Sequence, residues 1–258
     1  MSDNLIQWDK AKYWTTQYNY VIGCHAISPA CENCWARGWA ERFKQSFEPH
    51  CSSKEKPPKK GVCFVGNLSD MFGEWCDRLC PPEYYMGQTI ESKSKATFLW
   101  LTKRPQRMVQ ALRSGYDRGD RVVPFSECDM SDQYFGFTAE NQEWFDKRIE
   151  TIYTNFPSWA NLWVSAEPLL GPINLHLRKP ERFDFIRWLV VGCESGPNRR
   201  PCKLEWVESI VDQCRAANVP VFVKQICLPS GKFTNKIEEF PKHLQIRQVP
   251  WAEKGLLP

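Results

Sequence analysis

Three cysteines lie close together near the amino end of the chain, in the segment GCHAISPACENCWA. Two residues separate Cys31 from Cys34, so both thiols can reach one metal centre from a single turn, and Cys24 can reach the same point across a loop. Thiolates are soft ligands that suit iron–sulfur clusters and zinc. Three thiolates would leave one iron of a 4Fe–4S cluster free to bind a small molecule, and this is the chemistry that the spacing favours.

A zinc site is the first alternative. A structural zinc ion takes four protein ligands, and His25 or His50 could supply the fourth. A redox pair like that of thioredoxin, formed by Cys31 and Cys34, is the second alternative, but it leaves Cys24 without a role. An iron–sulfur cluster uses all three cysteines and is therefore the favoured interpretation.

Polar and charged side chains follow one apolar run after another along the rest of the chain. In a parallel barrel the carboxyl ends of the strands meet at one edge, where barrel enzymes place their active sites. A single strand often ends in polar residues, but six in succession favour an active-site rim. The rim residues predicted in this way are Ser69, Asp70, Lys103, Arg104, Glu140, Asn141, Glu167, Glu194 and Lys224.

Short apolar runs that alternate with amphipathic segments must position these side chains. The runs have the length and composition of buried strands: Tyr20–Gly23, Val62–Gly66, Thr97–Leu101, Tyr134–Thr138, Leu162–Ser165, Trp188–Gly192 and Val219–Val223. Helical patterns separate several of them: Asn33–Phe47, Pro105–Arg113, Gln142–Tyr153 and Leu204–Ala217. Strands alternating with helices indicate an α/β fold with a parallel sheet. Seven strands predict a full or partial (β/α) barrel of the TIM type, with a doubly wound sheet as the alternative.

The length of 258 residues suits one such barrel, so residues 1–258 are predicted to form a single domain. Two polar segments, His50–Lys60 and Gly115–Asp132, are predicted loops. The last stretch, about 228–258, contains several prolines and little periodicity. It is predicted to be an irregular tail that packs on the barrel.

Composition limits the cellular setting. The sequence contains no run of 18 apolar residues, so it predicts no transmembrane helix. Met1 to Lys12 also lacks the apolar core of a signal peptide. We therefore expect a cytoplasmic protein without a membrane partner. Disulfides are rare in that compartment, so clustered cysteines indicate metal, whereas Cys63 and Cys193 lie in apolar runs typical of core positions. The net charge of +4 permits a nucleic-acid partner without requiring one.

The tryptophans fall into two groups. Those within helical patterns are predicted core residues, namely Trp39, Trp144 and Trp206. Those beside the cysteines are predicted to shield the metal centre, with stacking on a base as the alternative: Trp8, Trp14 and Trp35.

Several longer blocks carry a family resemblance: GCHAISPACENCWA, NLSDMF, LTKRPQRM, TAENQ, SAEPLLGP, VGCESGPNRRP and VFVKQ. In this order they resemble a three-cysteine-motif family of bacteria and phages that has no known function and is related to radical S-adenosylmethionine (SAM) enzymes. The resemblance extends from Trp14 to about Gln225. It implies a radical SAM barrel with a 4Fe–4S cluster on Cys24, Cys31 and Cys34 and with SAM as cofactor. The wider spacing between the first two cysteines departs from the usual CxxxCxxC.

A bound SAM molecule needs an acceptor for its ammonium group, a cation for its carboxylate and polar groups for its ribose. We assign Ser69 and Asp70 to the ammonium, Lys103 or Arg104 to the carboxylate, Glu140 and Asn141 to the ribose, and Glu167, Glu194 and Lys224 to catalysis. The alternative for each is a salt bridge along the rim, for instance between Asp70 and Lys103.

The resemblance therefore predicts a radical SAM enzyme that works with an electron donor in a bacterium or a phage-infected host cell. A nucleic acid or nucleotide is the expected substrate, for modification or repair of a base. A nucleic-acid substrate is consistent with a family that occurs in phages. It is also consistent with the basic loop of Lys54–Lys60. The alternatives are a zinc-stabilised nucleic-acid-binding protein without catalysis and an iron–sulfur protein that does not use SAM.

Overall fold

A mostly parallel sheet forms the centre of the computed structural model, which describes residues 11–52, 56–177 and 185–251. The strands of the described residues are β1 (Thr16–Tyr18), β2 (Val21–Ile22), β3 (His50–Cys51), β4 (Lys60–Val65), β5 (Lys95–Thr102), β6 (Gly115–Asp117), β7 (Val122–Pro124), β8 (Gln133–Thr138), β9 (Asn161–Ala166), β10 (Ile186–Gly192), β11 (Val221–Cys227) and β12 (Phe233–Thr234). Eight of them form this sheet in the order β1-β4-β5-β8-β9-β10-β11-β12, and only β12 runs antiparallel to its neighbour.

Helices connect the parallel strands, because two parallel neighbours need a crossover between them. The helices of the described residues are α1 (Trp35–Arg42), α2 (Cys76–Leu79), α3 (Pro82–Glu91), α4 (Pro105–Leu112), α5 (Gln142–Asn155) and α6 (Leu204–Ala216). Within the same residues, no helix is both long and apolar enough to cross a membrane.

Alternating side chains on the strands build two apolar clusters, one on each face of the sheet. On β5, for example, Phe98 and Trp100 join the larger cluster, which also includes buried side chains of α3 to α6. Leu99 faces the opposite way and joins a smaller, ring-rich cluster. That cluster contains Tyr13, Val62, Phe64, Leu99, Tyr134, Trp163, Trp188, Val190, Phe222, Val249 and Trp251.

The sheet is strongly curved around the smaller cluster. The rings of Phe64 on β4 and Trp163 on β9 lie 6.4 Å apart, although β5 and β8 separate these strands. Three strand spacings in a flat sheet would amount to about 14 Å. Tyr13 also contacts both Phe64 and Phe222, at 6.3 and 5.4 Å between ring centroids. The described strands still leave β1 and β12 as the two edges of the sheet, so the barrel remains a prediction.

The start of the sheet differs from the sequence-based expectation. Thr16–Tyr18, rather than Tyr20–Gly23, pairs with β4, while Val21–Ile22 forms a separate antiparallel pair with β3. Asn19 lies between these two strands, and its buried side-chain oxygen accepts a hydrogen bond from the backbone of Leu68 at 3.3 Å.

Three further segments differ from the sequence-based expectation. Helix α1 is shorter than the predicted Asn33–Phe47, because Lys44 adopts a left-handed backbone with φ of +53° that ends it. The predicted loop of Gly115–Asp132 contains the hairpin of β6 and β7. The described part of the tail forms β12 and two short 3-10 turns, and buries Leu244. Residues 1–10 and 252–258 and Lys54, which enter the predictions above, lie outside the described residues.

Candidate functional site

The cysteine loop, residues 23–34, leaves the fold beside the carboxyl end of β4. Its first residue, Gly23, has φ of +92°, and a Cβ atom there would lie 2.5 Å from the carbonyl oxygen of Phe47. The Gly23 amide donates to Leu68, and the hydroxyl of Ser69 donates to the Gly23 carbonyl at 2.6 Å. Ser69 therefore anchors the start of the loop, and Cys24 lies at the edge where the parallel strands end.

The three thiols of the loop are free and partly exposed. Burial, and to a lesser extent Asp70, raise the pKa of the Cys24 thiol to about 12, against the opposing influence of Arg104 and Lys103. Cys31 also interacts electrostatically with Cys24. Asp70, Lys103 and Arg104 thus all act electrostatically on Cys24.

Cys31 differs from Cys24 in its net pKa shift. Burial raises the pKa of its thiol, but the positive charge of Lys103 and hydrogen bonds from Ile27 and Ser28 outweigh that effect and lower the pKa. The Ser28 Oγ lies 3.9 Å from the Cys31 Sγ. A thiolate is the form that binds metal, so this environment favours a ligand role for Cys31.

The two histidines that could supply a fourth zinc ligand both contact Glu48. The His25 ring packs 4.9 Å from Trp75, and its Nε2 lies 3.3 Å from Glu48, while the His50 Nδ1 lies 2.8 Å from the Glu48 carbonyl. Three thiols on one loop, with cations beside them, match the ligand chemistry of a cluster. Across the described ranges, however, no three His, Cys, Asp or Glu side chains are already arranged as a metal-binding group.

Asp70 lies at the centre of a buried network beneath the cysteine loop. Its Oδ1 accepts hydrogen bonds from the Thr102 hydroxyl at 2.7 Å and the Phe72 amide at 3.0 Å. Its Oδ2 accepts from the Lys103 amide at 3.0 Å and from Nη1 of Arg104 at 3.1 Å. These four bonds occupy the carboxylate, which we expected to bind the SAM ammonium.

Arg104 links this network to the cysteine loop through hydrogen bonds. Its Nη2 donates to the carbonyl oxygen of His25 at 3.2 Å, and its Nε donates to Glu74 at 3.2 Å. The guanidinium also lies over the Trp75 ring, 4.8 Å from the centroid. Arg104 therefore supports the loop, and Lys103 is the one of the two predicted carboxylate-binding cations whose side chain is less buried.

Glu140 is completely buried and faces an arginine from helix α5. The Arg148 Nη1 lies 2.5 Å from Glu140 Oε2 and also donates to the carbonyl oxygen of Thr138 at 2.7 Å. Burial raises the pKa of Glu140, but the attraction of Arg148 and contacts with Ser28 and Lys103 outweigh it, so the pKa is lowered. Glu140 is thus an ionised partner of Arg148 beneath the cysteine loop, which differs from the ribose-binding role that we expected.

Asn141 caps the amino end of α5. Its Oδ1 accepts a hydrogen bond from the Trp144 amide at 3.1 Å, as an N-cap asparagine does. Because the cap uses the carbonyl oxygen, the expected contact with a ribose would have to come from the side-chain amide nitrogen of Asn141.

A second loop, the β10 loop of residues 193–203, clasps the cysteine loop. Glu194 accepts a hydrogen bond from the Asn33 side chain at 3.0 Å and pairs with Arg200 at 2.5 Å. Arg200 in turn donates to the carbonyl oxygen of Pro29 and to Glu32, both at 2.9 Å. Burial raises the pKa of Glu194, but the hydrogen bonds from Arg200 and Asn33 outweigh it and lower the pKa.

Glu167 and Lys224 form a separate pair further along the same edge. The Lys224 Nζ lies 2.5 Å from Glu167 Oε1, and Gln225 donates to the same oxygen at 3.0 Å. Both charged side chains remain partly exposed. The Lys224 ammonium also lies 5.7 Å from the centroid of the Trp14 ring. An acid and a cation that stay partly accessible can exchange protons or bind a polar ligand.

The structure therefore divides the predicted rim into three groups. The first comprises the loop cysteines with Ser69, Asp70, Lys103 and Arg104. The second comprises Glu140 and Glu194, which contact the loop at Ser28 and Asn33, together with the helix cap Asn141. The third is the pair of Glu167 and Lys224. Three supporting side chains were missed from the sequence: Asn33, Trp75 and Arg148. Arg148 carried a usable signal, because it occupies the buried face of α5 with Phe145, Ile149 and Ile152. An arginine among apolar positions indicates a buried acidic partner.

Fold and site together define an α/β protein whose mostly parallel sheet carries a three-cysteine loop and charged side chains at its carboxyl edge. Residues 6–247 match the family described as Protein of unknown function (DUF5131), and the chain belongs to that family. No curated protein and no solved structure matches the chain.

Proposed function

We propose that the chain is a cytoplasmic iron–sulfur enzyme of the radical SAM type, with a 4Fe–4S cluster on Cys24, Cys31 and Cys34. One observation carries the proposal: the cysteine loop is held at the carboxyl edge of a parallel sheet, where Ser69 anchors its start and Arg104 donates to the carbonyl oxygen of His25. A cluster and SAM, when bound, would supply one-electron radical chemistry that side chains lack.

In this proposal the residues of the protein bind the cluster and SAM and hold them in position. The three thiolates would hold the cluster, and Lys103 would offset their negative charge and bind the carboxylate of SAM. Asp70 holds Arg104 and the backbone of Lys103 in place, rather than binding the ammonium itself.

The remaining rim residues take two kinds of role in the proposal. Glu140, Asn141 and Glu194 act as positioning residues beneath and beside the cysteine loop. Glu167 and Lys224, which stay partly exposed, are the pair offered to the substrate for proton transfer or binding. A nucleic acid base remains the proposed substrate, and a separate electron donor would be required.

Iron and sulfide analysis of anaerobically purified protein tests the cluster. Replacing Cys24, Cys31 or Cys34 with Ala should remove iron and sulfide, while the controls Cys63→Ala and Cys193→Ala should retain both. Circular dichroism of each variant separates a lost ligand from a lost fold. A folded triple variant with full iron content would overturn the assignment, and a colourless protein that contains zinc would favour the zinc alternative.

The SAM step has its own measurement. Reduced, cluster-loaded protein is incubated anaerobically with SAM, and the products are separated by chromatography. We expect 5′-deoxyadenosine above the level of a Cys34→Ala control and a changed electron paramagnetic resonance signal on adding SAM. If neither appears in a protein that holds its cluster, an iron–sulfur protein without SAM chemistry remains.

A further inference from the structure

Helix α1 exposes a row of large aromatic rings directly after the cysteine loop. Trp35, Trp39 and Phe43 are 53%, 40% and 54% exposed. Their spacing of four residues puts Trp35 and Trp39 on one face of the helix, with Phe43 next to them at the residue that caps its end. Ala36 and Ala40 are buried on another face. The prediction that Trp39 is a core residue is therefore wrong. Single exposed apolar residues are common, but three large rings in a row indicate a binding surface.

The geometry of this row suits flat ligands. Four residues of helix rise by about 6 Å, so each ring offers a platform about 6 Å from the next. The rings of Trp39 and Phe43 have centroids 5.2 Å apart and are tilted by 49°. Bases of a single strand stack on such platforms with little dependence on sequence, because every base has a π face.

The neighbouring row of the helix combines a glycine and a cation. Gly38 and Arg42 lie beside the aromatic row, since each residue advances by about 100° around the helix. A Cβ atom on Gly38 would meet open space, so nothing in the described protein requires glycine there. Glycine inside a helix costs about 0.5–1 kcal/mol relative to alanine. Its bare backbone would let a flat ring approach between Trp35 and Trp39.

The charges on this surface complement a phosphate backbone. Arg42 and Lys44 are exposed, and no ion pair joins either of them to a carboxylate in residues 11–52, 56–177 or 185–251. The Arg42 guanidinium lies 5.8 Å from the centroid of the Phe43 ring, so cation and platform are adjacent. Glu41 is the one acidic residue of the segment from Trp35 to Lys44.

We infer that the exposed face of α1 binds single-stranded nucleic acid, with bases stacked on Trp35, Trp39 and Phe43 and phosphates on Arg42 and Lys44. The surface is continuous with the cysteine loop, because Trp35 follows Cys34 in the chain. A strand bound there would be presented to the proposed cluster site. The inference rests on the proposed function only for what happens to the bound strand, since binding itself needs no cluster. By contrast, the basic loop before β4 ends at the opposite, amino edge of the sheet.

Fluorescence anisotropy with labelled oligothymidine, oligouridine and a DNA duplex tests the binding, using the whole purified protein. We expect both single strands to bind more tightly than the duplex. Trp35→Ala and Trp39→Ala should each weaken binding by about tenfold. Gly38→Ala should raise the thermal stability of the protein and yet weaken binding. The logarithm of the affinity should fall against the logarithm of salt concentration with a slope of about −1.4 for two phosphate contacts.

Tyr84→Ala is the matched control, because Tyr84 is 52% exposed on α3, outside the proposed surface. The inference is overturned if the single strands do not bind, or if Tyr84→Ala weakens binding as much as Trp35→Ala does. It is also overturned if the protein self-associates and Trp39→Ala abolishes that association without affecting nucleic acid. Iron content and 5′-deoxyadenosine are measured on the same samples, so a failed cluster assignment is distinguishable from failed binding.

Discussion

Asp70 and Arg104 form an ion pair, with 3.1 Å between Oδ2 and Nη1, and both side chains are more than nine-tenths buried. Arg104 continues from this pair to the carbonyl oxygen of His25 in the cysteine loop. A buried charge that loses its partner is costly, so the position of the loop depends on the pair.

We therefore expect Asp70→Asn to lower the free energy of unfolding by about 3 kcal/mol, because Arg104 would lose its buried counter-charge. Urea denaturation followed by circular dichroism measures this change. Glu74→Gln is the control, since Glu74 contacts the same arginine but is largely exposed and should contribute less than about 1 kcal/mol. A stable Asp70→Asn protein that fails only to bind SAM would instead restore the ammonium-binding role of Asp70.

Arg200→Met should loosen the cysteine loop, because it removes hydrogen bonds to Glu194, Glu32 and the Pro29 carbonyl. The expected loss is about 2 kcal/mol, typical of hydrogen bonds to a charged group. Iron held by the proposed cluster should also transfer faster to a chelator. Arg199→Met changes an exposed neighbour and should leave both quantities unaltered. Equal effects of the two variants would contradict a clasping role for Arg200.

Glu140 should make the protein sensitive to acid. Arg148 holds the pKa of the buried Glu140 below its ordinary value of 4.5, despite the opposing effect of burial. The stabilisation by ionised Glu140 is thus complete above about pH 4.5 and disappears as the pH falls through the lowered pKa. Glu140→Gln should be less stable at pH 7 and should lose less stability between pH 7 and pH 3. Urea midpoints across that range measure both effects, and parallel curves for the two proteins would refute the prediction.

Cys51 and Cys80 should form a disulfide when the protein is treated with diamide, which takes up the two electrons and two protons of the thiols. Their Sγ atoms lie 2.8 Å apart. The hydrogen bond with Cys80, followed by burial, raises the pKa of Cys51 to about 11, so the rate should increase with pH between 7 and 10. Peptide mapping without reductant identifies the bond, and Cys51→Ser should abolish it. A main product that links Cys24, Cys31 or Cys34 would contradict the prediction.

Long apolar runs allowed most of the parallel sheet to be predicted from the sequence. The run Tyr134–Thr138 differs from β8 by one residue, because a strand buried on both faces reads as continuous hydrophobicity. The first strand was misplaced because β1 has the polar sequence TQY and lies at an edge, with β4 as its one neighbour among the described strands. Edge strands need no continuous apolar pattern, so the apolar Val21 and Ile22 were chosen instead.

The candidate site was predictable in its location but not in its pairings. Strand ends indicated which edge carries the charges, since all parallel strands end on the same side. Which cation faces Asp70 or Glu140 depends on distances between side chains from different elements. The sequence suggested Lys103 for Asp70, whereas Arg104 supplies the guanidinium and Lys103 only its backbone amide.

The clasp between Asn33 and Glu194 joins residues 161 positions apart, and this separation has a consequence for assembly. At about 5–20 residues per second, a ribosome needs roughly 10–30 s to synthesise the intervening chain. During that interval the three thiols are present in the nascent chain without the β10 loop that holds them. The cluster proposed for these thiols would therefore be inserted after the β10 loop has been synthesised.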